Sequence, residues 1–239
     1  MNVYAIDTIS QVIGGNSYPG RGVLLGKSAD GKNAVVAYFI MGRSANSRNR
    51  IFVENGEEVI IHPFDASKVE DPSLIIYSPI RKVQNHLVVT NGDQTDTIVE
   101  GIEKGLSFSD ALKSREFEPD APNFTPRISG MLTFAEGDVS YQMSILKSAD
   151  AEGTACNRFT YDYAATAGLG HLIHTYVCDG NPIPTFQGEP ERVAIPNEID
   201  AFTTEIWNAL DEQNRISLYV RYIDLETGTI QNRMINQNK

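Results

Sequence analysis

The sequence has few of the residues on which several protein classes depend. Its 239 residues include only two cysteines, one tryptophan and four histidines. Cys156 and Cys178 lie apart with no Cys-x-x-Cys pair, so we expect neither a disulfide framework nor a cysteine-based metal site. We predict two buried thiols in a reducing compartment, no metal and no cofactor.

Long apolar runs and an excess of positive charge are also missing. The longest apolar stretches, such as Val35 to Met41, fall far short of the ~20 residues that a membrane helix needs. The N-terminus lacks the pattern of a secretory signal, which predicts a cytoplasmic protein. With 20 Lys and Arg against 31 Asp and Glu, the net charge of −11 repels nucleic-acid backbones and anionic lipid. We therefore expect no nucleic acid and no membrane as partners.

The sequence does have many short, β-rich segments. A hairpin is predicted over residues 22–40, around the polar turn Ser28-Ala29-Asp30-Gly31. Runs of β-branched and aromatic residues predict further strands at 51–53, 59–61, 74–77, 87–89, 128–134, 139–146, 159–164, 172–178 and 216–222. We expect these strands to form two antiparallel blocks, one before and one after the middle of the chain.

Three segments have helical signals. A helix begins at Thr95-Asp96-Thr97 and ends at Gly105, and Ser107 caps a second helix that follows directly. The amphipathic segment 197–211 predicts a third. Antiparallel strand blocks with segregated helices favour an α+β layered domain over a parallel βαβ sheet. At roughly 100 to 200 residues per domain, we predict one domain over residues 1–239.

The loop from Gly42 to Arg50 concentrates hydrogen-bond donors. It holds Arg43, Arg48 and Arg50 among Ser and Asn residues, directly after an apolar strand. Guanidinium forks suit phosphate, which makes this loop a candidate anion cradle. A solvated basic loop that pairs with surface carboxylates explains the composition equally well.

Two further loops have competing interpretations. The segment from Asn91 to Thr97 joins a strand to a helix, so its polar side chains either cap the helix or bind a ligand. Thr125-Pro126-Arg127 follows an acidic, proline-rich run with Glu118 and Asp120. This segment is either a plain loop or the point where an arginine and a carboxylate reach the same cleft. Spacing alone does not distinguish these two interpretations.

Five ordered motifs together resemble the archaeal-type inosine monophosphate (IMP) cyclohydrolase family. They are Gly20-Arg21-Gly22; Val36-Ala37-Tyr38 with Arg43-Ser44 and Asn49-Arg50; Ile76-Tyr77 with Ile80-Arg81; Asn91-Gly92 with Thr95-Asp96-Thr97-Ile98; and Thr125-Pro126-Arg127-Ile128. The resemblance covers residues 20–130. It implies a four-layer αββα sandwich like that of N-terminal-nucleophile hydrolases and a homo-oligomer. It also implies ring closure of 5-formamidoimidazole-4-carboxamide ribotide (FAICAR) to IMP.

The resemblance also implies roles for individual residues. Arg21 and Arg50 resemble phosphate or ribose anchors, and Asn91 with Asp96 resemble holders of the carboxamide or ribose. The remaining binding residues that it implies are Tyr38, Arg43, Thr125 and Arg127. The catalytic residues that it implies are Tyr77 as a proton donor and either Glu118 or Asp120 as the acid or base.

Several alternatives stay open at this point. The Tyr77 phenol sits at the end of an apolar run, where a phenol is more often a packed core residue bonded to a backbone carbonyl. Asn2 would follow a removed Met1, and asparagine cannot serve as an N-terminal nucleophile, which disfavours a hydrolase of that type. A non-catalytic purine-nucleotide binder and a different amide-directed hydrolase on the same fold are the competing functions.

Overall fold

Two antiparallel sheets make up most of the molecule. The computed structural model describes Asn2, residues 4–69 and residues 76–238. The first sheet contains β1 (Arg21–Lys27), β2 (Asn33–Met41), β10 (Leu169–His174), β11 (Glu191–Ala194), β12 (Arg215–Asp224) and β13 (Ile230–Asn236), in the spatial order β11-β10-β1-β2-β12-β13. The second contains β3 (Ile51–Asn55), β4 (Glu58–His62), β5 (Ile80–Val83), β6 (His86–Thr90), β7 (Arg127–Ala135), β8 (Asp138–Ser148) and β9 (Cys156–Ala164), in chain order.

The predicted hairpin is confirmed, but the predicted grouping of strands is wrong. β1 pairs with β2, and Gly31 in the turn between them has a positive φ of 74°. However, β1 also pairs with β10 and β2 with β12, so the first sheet joins the two ends of the chain. Local periodicity has no information about such distant pairings, whereas β3 to β9 follow one another as a meander.

Other strand boundaries differ from the predictions. β5 was not predicted, and β10 ends at His174 rather than at residue 178. Of the strand predicted at 74–77, residues 74 and 75 lie outside the described residues, and residues 76 and 77 are not in a strand.

One apolar core fills the space between the sheets. Val23, Val36 and Ile40 of the first sheet are fully buried there against Ile61 and Val89 of the second. Burying one such side chain stabilises the fold by roughly 1.5–3 kcal/mol. The alternation of side chains along each strand therefore fixes which face of each sheet points inward.

The helices cover the outer faces of the two sheets. On the first sheet lie α1 (Ile9–Ile13) and α5 (Ile199–Ala209). On the second lie α3 (Gln94–Glu103) and α4 (Phe108–Ala111). These helices are few and short, so the chain is mostly β. The two antiparallel sheets and the segregated helices of the predicted α+β class are confirmed. No helix in the described part of the chain is long and apolar enough to cross a membrane.

The helix signals near the middle of the chain are confirmed. Gly105 follows α3 with a φ of 80°, and the Ser107 side chain accepts a hydrogen bond from Asp110 N at 3.1 Å. The short helices α1 and α2 (Ala45–Arg48) were not predicted. The two cysteines are not buried as predicted: Cys156 is half-buried and Cys178 is exposed, because they lie on an edge strand and in a surface loop.

Candidate active site

A cavity of about 440 Å³ opens at one end of the space between the sheets. This end is where β1 and β7 begin and where β2 and β6 finish, so several loops converge on it. Most of the predicted site residues line the cavity: Arg21, Arg43, Arg50, Tyr77, Asn91, Glu118, Asp120, Thr125 and Arg127. Its size lies within the range of small-molecule sites.

Arg21 and Arg50 bring two guanidinium groups into this cavity. Arg21 is the first residue of β1, and Arg50, which precedes β3, is 8% exposed. Burial lowers the pKa of Arg50, and the nearby charge of Arg21 lowers it further. The Nε of Arg21 is buried and makes no hydrogen bond with any described residue. The two like charges repel each other in this partly desolvated site, and an anion bound between them would relieve that repulsion.

The glycines on either side of Arg21 explain its position. Gly20 has a φ of 81°, and a Cβ there would lie 2.1 Å from Thr175 Oγ1. A Cβ on Gly22 would lie 2.2 Å from the ring of Phe39. The backbone N of Arg21 donates to Thr175 Oγ1 at 3.1 Å. Close packing that only glycine permits therefore anchors the start of β1 at the cavity.

Glu118 and Asp120 differ sharply in their surroundings. Burial raises the pKa of Glu118, although Arg21 and Arg127 act in the opposite direction. Asp120 is exposed, and its carboxylate accepts hydrogen bonds from the backbone N of Thr125, at 2.6 Å, and from its Oγ1. Asp120 therefore organises the loop, whereas Glu118 is a carboxyl group whose pKa burial raises, as is common for groups that exchange protons in active sites.

Tyr176 extends the Asp120 interaction across the cavity. Its hydroxyl lies 2.6 Å from Thr125 Oγ1. Because Thr125 donates its proton to the Asp120 carboxylate, Tyr176 must donate to Thr125. Burial raises the pKa of Tyr176 to about 12, so this phenol stays protonated. Tyr18 stacks on its ring with centroids 5.8 Å apart.

Tyr77 lines the cavity and also binds the backbone. Its hydroxyl donates to the Asn91 carbonyl oxygen at 2.7 Å and lies 3.1 Å from the hydroxyl of Tyr38. Since the proton of Tyr77 points to the carbonyl, Tyr38 must donate to Tyr77. Burial raises the pKa of both phenols. Tyr38 does not line the cavity, but it supports the residue that does.

The side chain of Asn91 ties two loops together. Its Oδ1 accepts from Ile128 N and from Gln94 Nε2, each at 2.9 Å. Its Nδ2 donates to the Pro126 carbonyl oxygen at 2.9 Å. These bonds hold the start of α3 against the start of β7.

The two aspartates near the start of α3 do not cap it. Asp93, at the N-cap position, makes no capping hydrogen bond and instead pairs with Arg115 and, at 2.6 Å, with Arg127. Asp96 does not line the cavity, and it pairs with Arg81 at 2.8 Å on the surface. Of the predicted polar loop, the part that reaches the cavity is 91–93.

The arginine-rich loop fits each of its two interpretations in part, since some of its arginines line the cavity and others do not. Arg43 lines the cavity, pairs with Asp179, donates to the Gly180 carbonyl oxygen at 3.0 Å and lies over the ring of Tyr18. Arg48 instead donates to the carbonyl oxygen of Gly42 at 3.0 Å, away from the cavity. The loop thus supplies Arg43 and Arg50 to the cavity and uses Arg48 for its own shape.

Sequence analysis missed part of the cavity wall. Tyr18, Asn123, Tyr176 and Ile183 also line it. Two of them lie after residue 130, beyond the recognised motifs, and only the pairing of β10 with β1 brings that region to the cavity. In the described residues, no group of three or more His, Cys, Asp or Glu is arranged to hold a metal.

Comparison with known proteins identifies relatives over most of the chain. A family model for IMP cyclohydrolase-like proteins matches residues 18–228. An IMP cyclohydrolase of Methanopyrus kandleri is 36% identical over 184 residues, which cover 71% of this chain and 89% of the relative. An IMP cyclohydrolase of Methanococcus maripaludis strain C7 is 30% identical over 167 residues, covering 63% and 82%. One of Methanothrix thermoacetophila is 38% identical over 120 residues, covering 48% and 58%.

Proposed function

The chain belongs to the family of IMP cyclohydrolase-like proteins, and we propose that its cavity closes the purine ring by converting FAICAR to IMP. The family match spans residues 18–228, which include every residue that lines the cavity. The observation that carries the proposal is that one cavity brings together Glu118, a carboxyl group whose pKa burial raises, and the guanidinium groups of Arg21 and Arg50. Together they supply an acid–base group and an anion site in one pocket.

The substrate brings both reacting groups, so the protein needs no nucleophile of its own. The carboxamide nitrogen attacks the formyl carbon and loses one proton, a C–N bond forms, and the formyl oxygen takes up one proton to become a hydroxyl group. The former formamide nitrogen then loses its proton as a C=N bond forms, the C–O bond breaks, and the hydroxyl group takes up a second proton and leaves as water. Ordering an intramolecular attack of this kind contributes up to roughly 7–11 kcal/mol. A rigid pocket between two sheets suits this task.

Arg21 and Arg50 bind the 5′-phosphate in this proposal. A charged guanidinium bonded to phosphate is worth about 1.5–3 kcal/mol, and the buried Nε of Arg21 has no protein partner among the described residues. Arg43 and Arg127 already pair with Asp179 and Asp93, so they contribute at the rim.

Glu118 moves the protons. As a carboxylate it takes a proton from the attacking carboxamide nitrogen and passes it to the formyl oxygen. It then takes the proton of the former formamide nitrogen and passes it to the departing hydroxyl group, which returns Glu118 to its carboxylate form. Burial raises the pKa of Glu118, which makes the carboxylate a stronger base than an exposed glutamate. Asp120 stays with Thr125 and has no part in this exchange.

Tyr77 stabilises the negative charge that develops on the formyl oxygen. To do so its hydroxyl turns from the Asn91 carbonyl oxygen to the substrate, while Tyr38 continues to donate to it. A donation from Tyr38 polarises the Tyr77 O–H bond and makes it a stronger donor. A positioned donor at an oxyanion contributes roughly 3–4 kcal/mol.

We also infer the finer architecture. Helices on the outer face of each sheet support a four-layer αββα sandwich similar to that of N-terminal-nucleophile hydrolases. A core shared by strands from both ends of the chain supports one domain over residues 1–239. The cytoplasmic location and the homo-oligomer stay predictions.

One assay tests the function against its two competitors. The protein is incubated with synthetic FAICAR, and ultraviolet absorbance follows the formation of the purine ring. Turnover to IMP is the expected result. Binding without turnover would indicate a non-catalytic nucleotide binder, and release of formate would indicate an amide-directed hydrolase.

A further inference from the structure

The edge strand β9 is long and uncovered. It has nine residues, against four in β11, seven in β13 and five in β3, and none of its residues is buried. The edge of β3 is occupied at Phe52, whose N and O bind the Asn236 side chain, and β11 is bridged by Asp7. In the described part of the chain, no strand lies beyond β9. Such an edge is a template for pairing with another strand.

The sequence of β9 is complementary to itself. It reads Cys-Asn-Arg-Phe-Thr-Tyr-Asp-Tyr-Ala from residue 156 to residue 164. When two copies run antiparallel with Thr160 opposite Thr160, Arg158 lies opposite Asp162 and Phe159 opposite Tyr161. Directly opposite residues point to the same face of a sheet, so each pair can make contact. A two-fold axis repeats each pair, which gives two ion pairs and two aromatic pairs.

We propose that β9 pairs antiparallel with β9 of a second copy of this chain, on a two-fold axis at Thr160. The second sheets of the two copies then form one continuous sheet. Phe159, which is 41% exposed in the single chain, is covered by Tyr161 of the second copy. Backbone groups at the edge gain hydrogen bonds along the strand.

Other registers lose the complementary charges. A shift that places Tyr161 opposite Tyr161 sets Arg158 against Ala164 and Asp162 against Thr160. The opposite shift, with Phe159 at the axis, sets Arg158 against Thr160. A shift by one residue would turn the second copy over, so that the inner face of its sheet would continue the outer face of the first. The register centred on Thr160 is therefore the one that the charges select.

Existing contacts determine which residue to change. Arg158 also donates to the Arg115 carbonyl oxygen at 2.8 Å, on the loop that leads to Glu118. Asp162 bonds only to Gln142 Nε2, at 2.9 Å, among the described residues. Asp162→Arg therefore disturbs the proposed pairing with little effect on the fold of a single chain.

Sedimentation equilibrium on the full chain tests the interface by charge. Wild type is expected to form dimers, and Asp162→Arg, which sets Arg against Arg twice, should raise the dimer dissociation constant about tenfold or more. The double variant Arg158→Asp with Asp162→Arg restores opposite charges in every pair and should recover dimers. Glu103→Arg on α3 makes the same change in charge elsewhere and should leave the constant unchanged. A monomeric wild type, or a dimer that Asp162→Arg does not weaken, overturns the proposal.

Crosslinking tests the axis itself. In a background with Cys156→Ser and Cys178→Ser, Thr160→Cys places two thiols opposite each other, within the 4.4–6.8 Å Cα separation that a disulfide spans. Mild oxidation is expected to give a covalent dimer. Ser109→Cys, also exposed, should stay monomeric on a denaturing gel. Equal crosslinking of both variants, or none of Thr160→Cys, would rule out this axis.

Discussion

The two ends of the space between the sheets each hold an arginine with a buried Nε, and the partners of these two nitrogen atoms differ. At the end opposite the active site, Arg221 of β12 is 1% exposed and lines a second cavity of about 290 Å³. It donates to Tyr219 Oη at 2.7 Å, to the Glu57 carbonyl oxygen at 2.8 Å and to Asn232 Oδ1 at 3.0 Å. Arg21 has a buried Nε without such a partner. Burial of a charge alone therefore does not mark a functional site.

The residues that surround the two arginines also differ between the two cavities. The walls of the second cavity include Leu87, Phe134 and Ile223, which belong to the edge of the apolar core. Arginine, tyrosine and carboxylate side chains from loops dominate the active-site cavity. A buried polar group whose bonds are satisfied within the protein holds the fold together, whereas one with an open donor is available to a ligand.

The largest effect is expected at the active-site end, from Glu118→Gln. Loss of the group that moves protons should lower kcat by roughly 10³. Asp120→Asn, in the same loop, should lower it by less than about tenfold. Steady-state rates on FAICAR measure both, and equal losses would remove the distinction between the two carboxylates.

The Glu118→Gln substitution should also have a pH-dependent effect on stability. Burial raises the pKa of Glu118 in the folded protein above its ordinary value of 4.5, so the ionised form costs stability at pH 7. That cost is absent below the unfolded pKa. Glu118→Gln should therefore melt no lower than wild type at pH 7, and any gain should disappear as the pH falls below about 4.5.

The next effect separates Tyr77 from Tyr38. Tyr77→Phe should lower kcat by roughly 10², because it removes the donor to the formyl oxygen. Tyr38→Phe removes a buried hydroxyl from the same chain of bonds and should cost ~1 kcal/mol of unfolding free energy. It should lower kcat far less than Tyr77→Phe does, because Tyr77 still donates and loses only the polarising bond from Tyr38. If Tyr77 is only a core phenol, both variants should lower the melting temperature and neither should change kcat.

A matched pair of substitutions compares the arginines at the two ends of the space between the sheets. Arg21→Met should weaken nucleotide binding by about 1.5–3 kcal/mol and leave the melting temperature near wild type. Arg221→Met should lower the unfolding free energy by a similar ~1.5–3 kcal/mol and leave nucleotide affinity unchanged. Calorimetry with nucleotide and nucleoside adds a control, because an equal loss of affinity for both ligands would show that Arg21 does not contact phosphate.

The smallest effect concerns the rim of the active site. Asp179 holds Arg43, and both side chains are substantially exposed. Asp179→Asn should release Arg43 toward the ribotide and lower KM by a few-fold at most, since exposed ion pairs are worth about 0–1 kcal/mol. The difference should shrink at high salt. An increased KM would show that Asp179 positions Arg43 rather than competing with phosphate.

The sequence predicted features that depend on neighbouring residues. The hairpin turn at Gly31, the end of α3 at Gly105 and the cap at Ser107 are local patterns, and all three are confirmed. Resemblance to a family, rather than local chemistry, predicted that Glu118 and Arg50 would meet, and both line the cavity.

Other features depend on distant pairings and could not be predicted. Tyr176 and Ile183 line the cavity, and the region that holds them lies there because β10 pairs with β1, a strand more than 140 residues earlier in the chain. Asp96 was expected in the site, but the turn of α3 directs it to Arg81. Spacing along a polar loop does not show which of its side chains the following helix directs away from the cavity.

Gly20 and Gly22 have a consequence for genetics. Neither lines the cavity, yet a methyl group on either would collide with Thr175 or Phe39 and displace Arg21. A random-mutagenesis screen would therefore score Gly20→Ala and Gly22→Ala as loss-of-function alleles, alongside changes in residues that touch the substrate. The inactivating substitutions would thus include residues that do not contact the substrate. Gly20 and Gly22 would be among them, because their close packing holds Arg21 in place.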